Sequence, residues 1–224
     1  MLDVIAPRYC AMCGNRLSME EDGFCLACDL GLPRTDHKAS AYDNEMARLL
    51  WGIIPVERAV AFTYYRKHSE SVRMVHKLKY YDRPDMGECM GRKMAQELMP
   101  EGFFEDIDVI VPVPLNKRRM RWRGYNQSAC IAKGISSVTQ LPVAEKALSR
   151  VKFQESQTRK MLIERRENVE KAFSLVDAES IAGRHVLIVD DVLTSGSTAC
   201  ACGKELLKAG NVKLSVLTWG FAKS

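Results

Sequence analysis

The sequence predicts an α/β fold, a doubly wound and mostly parallel sheet with a small cysteine-rich module in front of it. Three observations carry this expectation. Short apolar runs that read as buried strands alternate with segments whose apolar residues recur at helical spacing, and such alternation implies parallel strands joined by right-handed crossovers. The 224 residues, 46% of them hydrophobic, suffice for one full-sized core and a small appended unit. Four of the eight cysteines fall within the first 28 residues, which marks a separate unit: residues 1–54 as module and linker, residues 55–224 as the sheet domain.

In chain order, a polar segment turns helical in pattern around Met46, Leu49 and Leu50. "VERAVAFTYY" then reads as a strand. Val72, Val75 and Leu78 place a helix over 69–80, and Met90, Met94 and Leu98 another over 88–98. "DVIVPVP" is a short buried strand that Pro112 and Pro114 must end, because proline supplies no ladder donor. A helix starting at Asn126 or Gln127 runs through Ile131 and Ile135. Val186, Leu187, Ile188 and Val189 form a strand apolar on both faces, followed by a loop, a helix over about 198–207 and a last strand, "KLSVLTW". The chain contains no internal repeat, no GxxxxGK[ST] and no GxGxxG.

No apolar run approaches the roughly 20 residues of a membrane span, and "MLDVIAPRYC" has neither a basic start nor an apolar signal core, so a cytoplasmic protein without membrane insertion is expected. The net charge of +5 is modest. Its distribution is not: Lys117, Arg118, Arg119, Arg121 and Arg123 put five positive charges in seven residues.

Cys10-x2-Cys13 and Cys25-x2-Cys28, separated by 11 residues, match the ligand spacing of a tetrahedral site. Each pair sits on a tight turn that aims two thiolates at one point, so Cys10, Cys13, Cys25 and Cys28 read as a structural Zn2+ site. A full set of four thiolates leaves no open position for a catalytic water. His37 reads as a solvated surface histidine. Cys200 and Cys202, two apart on a predicted helix, point to different faces and make poor joint ligands.

The stretch "HVLIVDDVLTSGSTA" places Asp190 and Asp191 at the carboxyl end of a buried strand, where ligands bind in open α/β sheets. Thr194, Ser195, Gly196, Ser197 and Thr198 can wrap a phosphate with hydroxyls and backbone N–H groups, and the following helix adds the positive end of its dipole. Gly196 lets the backbone approach closely. An acid pair repels phosphate, but it accepts hydrogen bonds from vicinal ribose hydroxyls or holds a divalent metal beside them. Together the pieces outline a ribose 5-phosphate.

"VLIVDDVLTSGST" resembles the phosphoribosyl pyrophosphate signature of type I phosphoribosyltransferases. "CAMCGNRL", "HKLKYYDRPDMGECMG", "PVPLNKRRMRWRGYNQS" and "QTRKMLIERRENVEKAF" resemble, in this order, the blocks of the ComF/GntX family of competence proteins, so the resemblance covers nearly the whole chain. Small departures exist: Lys171 stands where a glycine is usual, and Ser195 and Ser197 replace a commoner Thr and Ala. The resemblance implies a type I phosphoribosyltransferase-like domain with an N-terminal zinc finger and a role in natural transformation or use of external DNA. It does not supply a settled reaction.

Phosphoribosyl transfer expels pyrophosphate, so Mg2+ and cations must neutralise charge on the leaving group. The loop after Pro114 is the natural pyrophosphate loop, with Lys117, Arg118 and Arg119 as substrate-binding candidates; each reads equally as a solvated cation. Trp122 and Tyr125 fit base stacking on single-stranded nucleic acid, with core packing the favoured role for each. Arg159, Lys160, Arg165 and Arg166 fit either a flap over residues 154–168 or an ordinary amphipathic helix. Lys79 and Tyr80 close a predicted helix, where a cation complements the dipole without any ligand. His76 has no nucleophile or acid partner visible in the sequence.

Three functions follow: transfer of a phosphoribosyl group to or from a base, with Asp190 and Asp191 as catalytic residues; ligand sensing without turnover; or handling of single-stranded DNA with a helicase-like competence partner.

Overall fold

The computed structural model describes residues 7–151 and 172–222. The predicted flap segment, with Arg159, Lys160, Arg165 and Arg166, lies outside the described residues, as does Lys171.

The loops bearing Cys10, Cys13 and Cys25 lead into α1 (Leu26–Leu30), which carries Cys28, then a 3-10 turn (His37–Ser40) and α2 (Glu45–Leu50), whose cap Asn44 accepts from the N–H groups of Met46 and Ala47. Then follow β1 (Val56–Tyr64), α3 (Glu70–Tyr80), α4 (Pro84–Leu98) and β2 (Val109–Pro112). Next are α5 (Lys117–Arg123), α6 (Gln127–Thr139), β3 (Leu148–Arg150), β4 (Phe173–Leu175) and β5 (His185–Leu193). The chain continues with α7 (Ser197–Leu206), a 3-10 turn and β6 (Lys213–Phe221).

The main sheet has the order β1-β6-β5-β2, and each pairing is parallel. Alternation along the strands feeds two cores. Val60, Phe62, Ile110, Leu187, Val189, Leu217 and Trp219 face α3, α4, α6 and the cysteine-bearing loops. Ala59, Ala61, Val109, Val111, Val186, Ile188, Leu214 and Val216 face α2 and α7. Phe24, next to Cys25, meets Trp219 at 6.3 Å between ring centroids. No helix among the described residues is long and apolar enough to cross a membrane.

Pairing of α4 with α6 is close enough to require glycine. A Cβ on Gly91 would lie 2.0 Å from the Ile131 carbonyl oxygen, and one on Gly134 would lie 2.1 Å from that of Glu88. This contact sets the height of α6, and hence of its first turn, above the sheet.

Several expectations are corrected. The second helix begins at Pro84 rather than 88, because proline suits the first helical position, where its missing N–H has no partner to lose. Residues 117–123 are helical, not loop: Asn116 accepts from the Arg119 N–H at 2.7 Å to start the helix, and Gly124, at φ 78°, ends it. β5 does not stop at the acids but carries them, running to Leu193 beside β6. β3 and β4 form a small antiparallel pair that the sequence pattern did not signal.

His37 is buried, with the Ala61 N–H donating to Nδ1 at 3.3 Å and Phe221 5.8 Å away. Trp122 is 64% exposed, so it is not a core residue.

Candidate functional site

β5 ends at the carboxyl edge of the sheet, and the turn after it leads into α7. A cleft there is lined by Asp190, Thr194, Ser195, Gly196, Ser197, Thr198 and the neighbouring Thr218 of β6. Thr194 and Ser195 are exposed, and Ser195 and Ser197 share a hydrogen bond of 2.8 Å between their hydroxyls. Gly196 caps α7 at φ 75°, the left-handed region that disfavours a side chain. Leu50 of α2 lies 3.1 Å from where its Cβ would be, so the glycine answers to backbone shape and to packing from behind.

The two carboxylates sit in different surroundings, as neighbours on a strand must. Asp190 accepts from the Ser128 hydroxyl at 2.9 Å and from the Asp191 N–H at 2.8 Å. Burial, and then the adjacent Asp191 charge, push its carboxyl well above the ordinary carboxylate range. Asp191, 8% exposed, is held by Lys79 of α3, whose Nζ lies 2.9 Å from Oδ2 and 3.1 Å from Oδ1.

Lys79 and Ser128 were not assigned to the site from sequence. A lysine in a final helical turn gives no sign of a partner 112 residues away. Ser128 follows the α6 cap Asn126, whose side chain accepts from its N–H at 3.1 Å, a role that hides its hydroxyl's second partner.

Lys117, Arg118 and Arg119 are exposed along α5 and do not line the cleft. Burial, and then the Arg119 charge, hold the Arg150 guanidinium below its ordinary value, while the Asp190 charge acts the other way. Arg150 also lies over the Phe173 ring at 5.1 Å, a third feature the sequence reading missed.

Beside Lys79 stands a cluster of exposed rings. His76 and Tyr80 are 4.6 Å apart, Tyr80 and Trp122 are 5.7 Å apart, and Arg123 lies 5.6 Å from the Tyr80 ring. Tyr125 is half-buried instead, donating to the Leu78 carbonyl at 2.6 Å.

On the far side of α3, the thiol sulfurs of Cys10, Cys13, Cys25 and Cys28 all lie within 4.8 Å of one another. Metal-sulfur bonds of about 2.3 Å at tetrahedral angles put sulfurs about 3.8 Å apart, and Cys13 and Cys25 are 3.7 Å apart. Backbone N–H groups of Cys25 and Asn15 point at the sulfurs of Cys10 and Cys13, at 3.3 and 3.5 Å. The donor set and spacing therefore fit one soft-ligand metal ion. Cys200 and Cys202 are buried in α7 and take no part in it.

Residues 127–219 match the family described as phosphoribosyl transferase domain. The chain is 27% identical over 220 residues to DNA utilization protein YhgH of Escherichia coli (strain K12), covering 94% of this chain and 95% of that one. It is 36% identical over 118 residues to Competence protein F of Haemophilus influenzae, covering 52% of this chain and 51% of that one.

Proposed function

From a chain that carries a phosphoribosyl transferase domain and is homologous to DNA utilization protein YhgH and Competence protein F, we propose a protein that binds phosphoribosyl pyrophosphate with Mg2+ at residues 190–198 and acts in DNA uptake or utilisation. The observation that carries this reading is the meeting, in one cleft, of the Asp190 carboxylate of β5, a hydroxyl-rich turn and the start of α7. Thr194 to Thr198 would hold the 5-phosphate through hydroxyls and N–H groups, with the helix dipole adding to the field. Asp190 and Asp191 would accept from the ribose hydroxyls. Mg2+ would supply charge neutralisation at the pyrophosphate.

Lys117, Arg118 and Arg119 would serve the pyrophosphate end, reaching from a helix rather than a loop. The four cysteines would hold a structural Zn2+, residues 1–54 serving as metal module and linker and 55–224 as the transferase-like domain, in the cytoplasm. Turnover would move a phosphoribosyl group to or from a base.

Calorimetry with phosphoribosyl pyrophosphate and Mg2+, on the wild type and on an Asp190→Asn, Asp191→Asn variant that keeps its metal and fold, tests this. Binding confined to the wild type supports the ribose site, and a screen of bases then separates a transferase from a sensor without turnover. No binding by the wild type would sink the reading.

A second reading is favoured by the ring cluster. His76, Tyr80 and Trp122 beside the cations of α5 suit stacked bases and tracked phosphates of single-stranded DNA, passed on by a helicase-like partner. Affinity for an oligonucleotide should fall steeply with salt and with Trp122→Ala. Salt-independent or absent binding would remove it.

A further inference from the structure

Three consecutive residues in the last turn of α3 are tied to three different parts of the molecule. Lys77 Nζ donates to the main-chain carbonyls of Met12 and Ala11, the two residues between Cys10 and Cys13. The Leu78 carbonyl accepts from the Tyr125 hydroxyl, ahead of α6. Lys79 reaches Asp191 on β5. Beneath them Met74, Val75 and Leu78 pack in one core with Cys10, Ala11 and Met12.

We propose that Lys77 is a positioning residue through which the metal-loaded cysteine knuckle sets the place of Lys79, and so of the Asp191 carboxylate, in the sugar site. The carbonyls that Lys77 grips belong to the Cys10-x2-Cys13 turn, whose shape depends on both sulfurs being held at one point. With the ion bound, those carbonyls form a fixed anchor. Lys77 transmits that anchor to a helix end that is also held by the Tyr125 bond, the Asp191 pair, the core packing of Leu78 and the contact of Tyr80 with Trp122. Lys79 is two residues further on, so a shift of the turn at Lys77 moves the ammonium that orients Asp191. The link to ligand rests on the ribose-site reading; the mechanical link does not.

Hydrogen exchange of the full metal-loaded chain reads that link without any ligand. Lys77→Met, with its metal content verified, is expected to speed exchange about fivefold both at 77–81 and at 190–194. Lys77→Arg, which keeps a donor, is expected to restore it. Chelating the metal from the wild type should reproduce the change at 190–194, and chelating it from Lys77→Met should add nothing there.

Exchange that rises at 77–81 in Lys77→Met but stays unchanged at 190–194 would overturn the proposal, since the knuckle would then brace only its own neighbour. Should chelation unfold the chain, the Lys77→Met and Lys77→Arg pair decides alone. The affinity for phosphoribosyl pyrophosphate with Mg2+ is expected to weaken about fivefold in Lys77→Met. A wild type with linked exchange but no such binding would sink the ribose-site reading and leave this inference standing.

Discussion

Lys79 and Asp191 form a two-pronged ion pair between α3 and β5, with Nζ within 3.1 Å of both carboxylate oxygens. Removing one partner leaves a nearly buried charge uncompensated, which costs more than the pair itself contributes. Lys79→Met is therefore expected to destabilise the fold by about 1 to 3 kcal/mol. Adding Asp191→Asn should recover much of that loss, and urea midpoints for the two single variants and the double variant give the coupling.

Asp190 predicts a pH effect of the opposite sign to an ordinary surface acid. Its raised carboxyl binds its proton more tightly in the folded chain than in the unfolded one. The folded state is thus favoured at low pH and penalised as pH rises past the ordinary carboxylate value near 4 and through the raised one. Asp190→Asn, which can still accept from Ser128, should be more stable than the wild type at pH 8, with the gap closing by pH 4. Chemical denaturation at both pH values checks this, and an equal gap at each would refute it.

The buried histidines act in the other direction. Burial holds both His37 and His185 below the ordinary histidine value, and His185 bonds Ser215 at 2.8 Å. The unfolded chain then binds more protons, so this part of the stability is present above the ordinary histidine value of about 6.5 and is lost as pH falls through and below it. Between pH 7 and 5.5, stability should fall less in His37→Gln than in the wild type. Parallel curves for the two proteins would remove the assignment.

The approach of α4 to α6 leaves no space for a methyl group. Gly91→Ala and Gly134→Ala should each lower stability by at least about 1 to 3 kcal/mol, because the blocking atoms are backbone carbonyls that cannot swing aside. Gly14→Ala, with nothing within 4 Å, should cost only the strain of its positive φ. Thermal midpoints distinguish the steric cost from the conformational one.

Much of this architecture was legible because its signals are local. The helix expected over 69–80, the helix start at Asn126 or Gln127 and the strand through Val186 follow from apolar spacing within a few residues. The hydroxyl-rich turn and the two cysteine pairs were legible for the same reason.

The misses share a cause too: Lys79 meeting Asp191, Ser128 meeting Asp190 and the burial of His37 against Phe221 join residues tens to hundreds of positions apart. At 117–123, five cations read as a loop because they follow Pro114 at the end of a strand. A capping asparagine and a closing glycine make a helix that spreads those charges around its surface.

The strand order carries a kinetic consequence. β6 lies between β1 and β5, yet it is synthesised after both. Until residues 213–221 exist, β1 has no partner in the main sheet and β5 has only β2 along one side, so Asp190 and Asp191 ride on a half-paired ribbon. Contacts this distant along the chain slow folding and expose unpaired strand edges while it proceeds. The acid-bearing end of β5 is therefore assembled late, by the arrival of a strand that carries none of its acids.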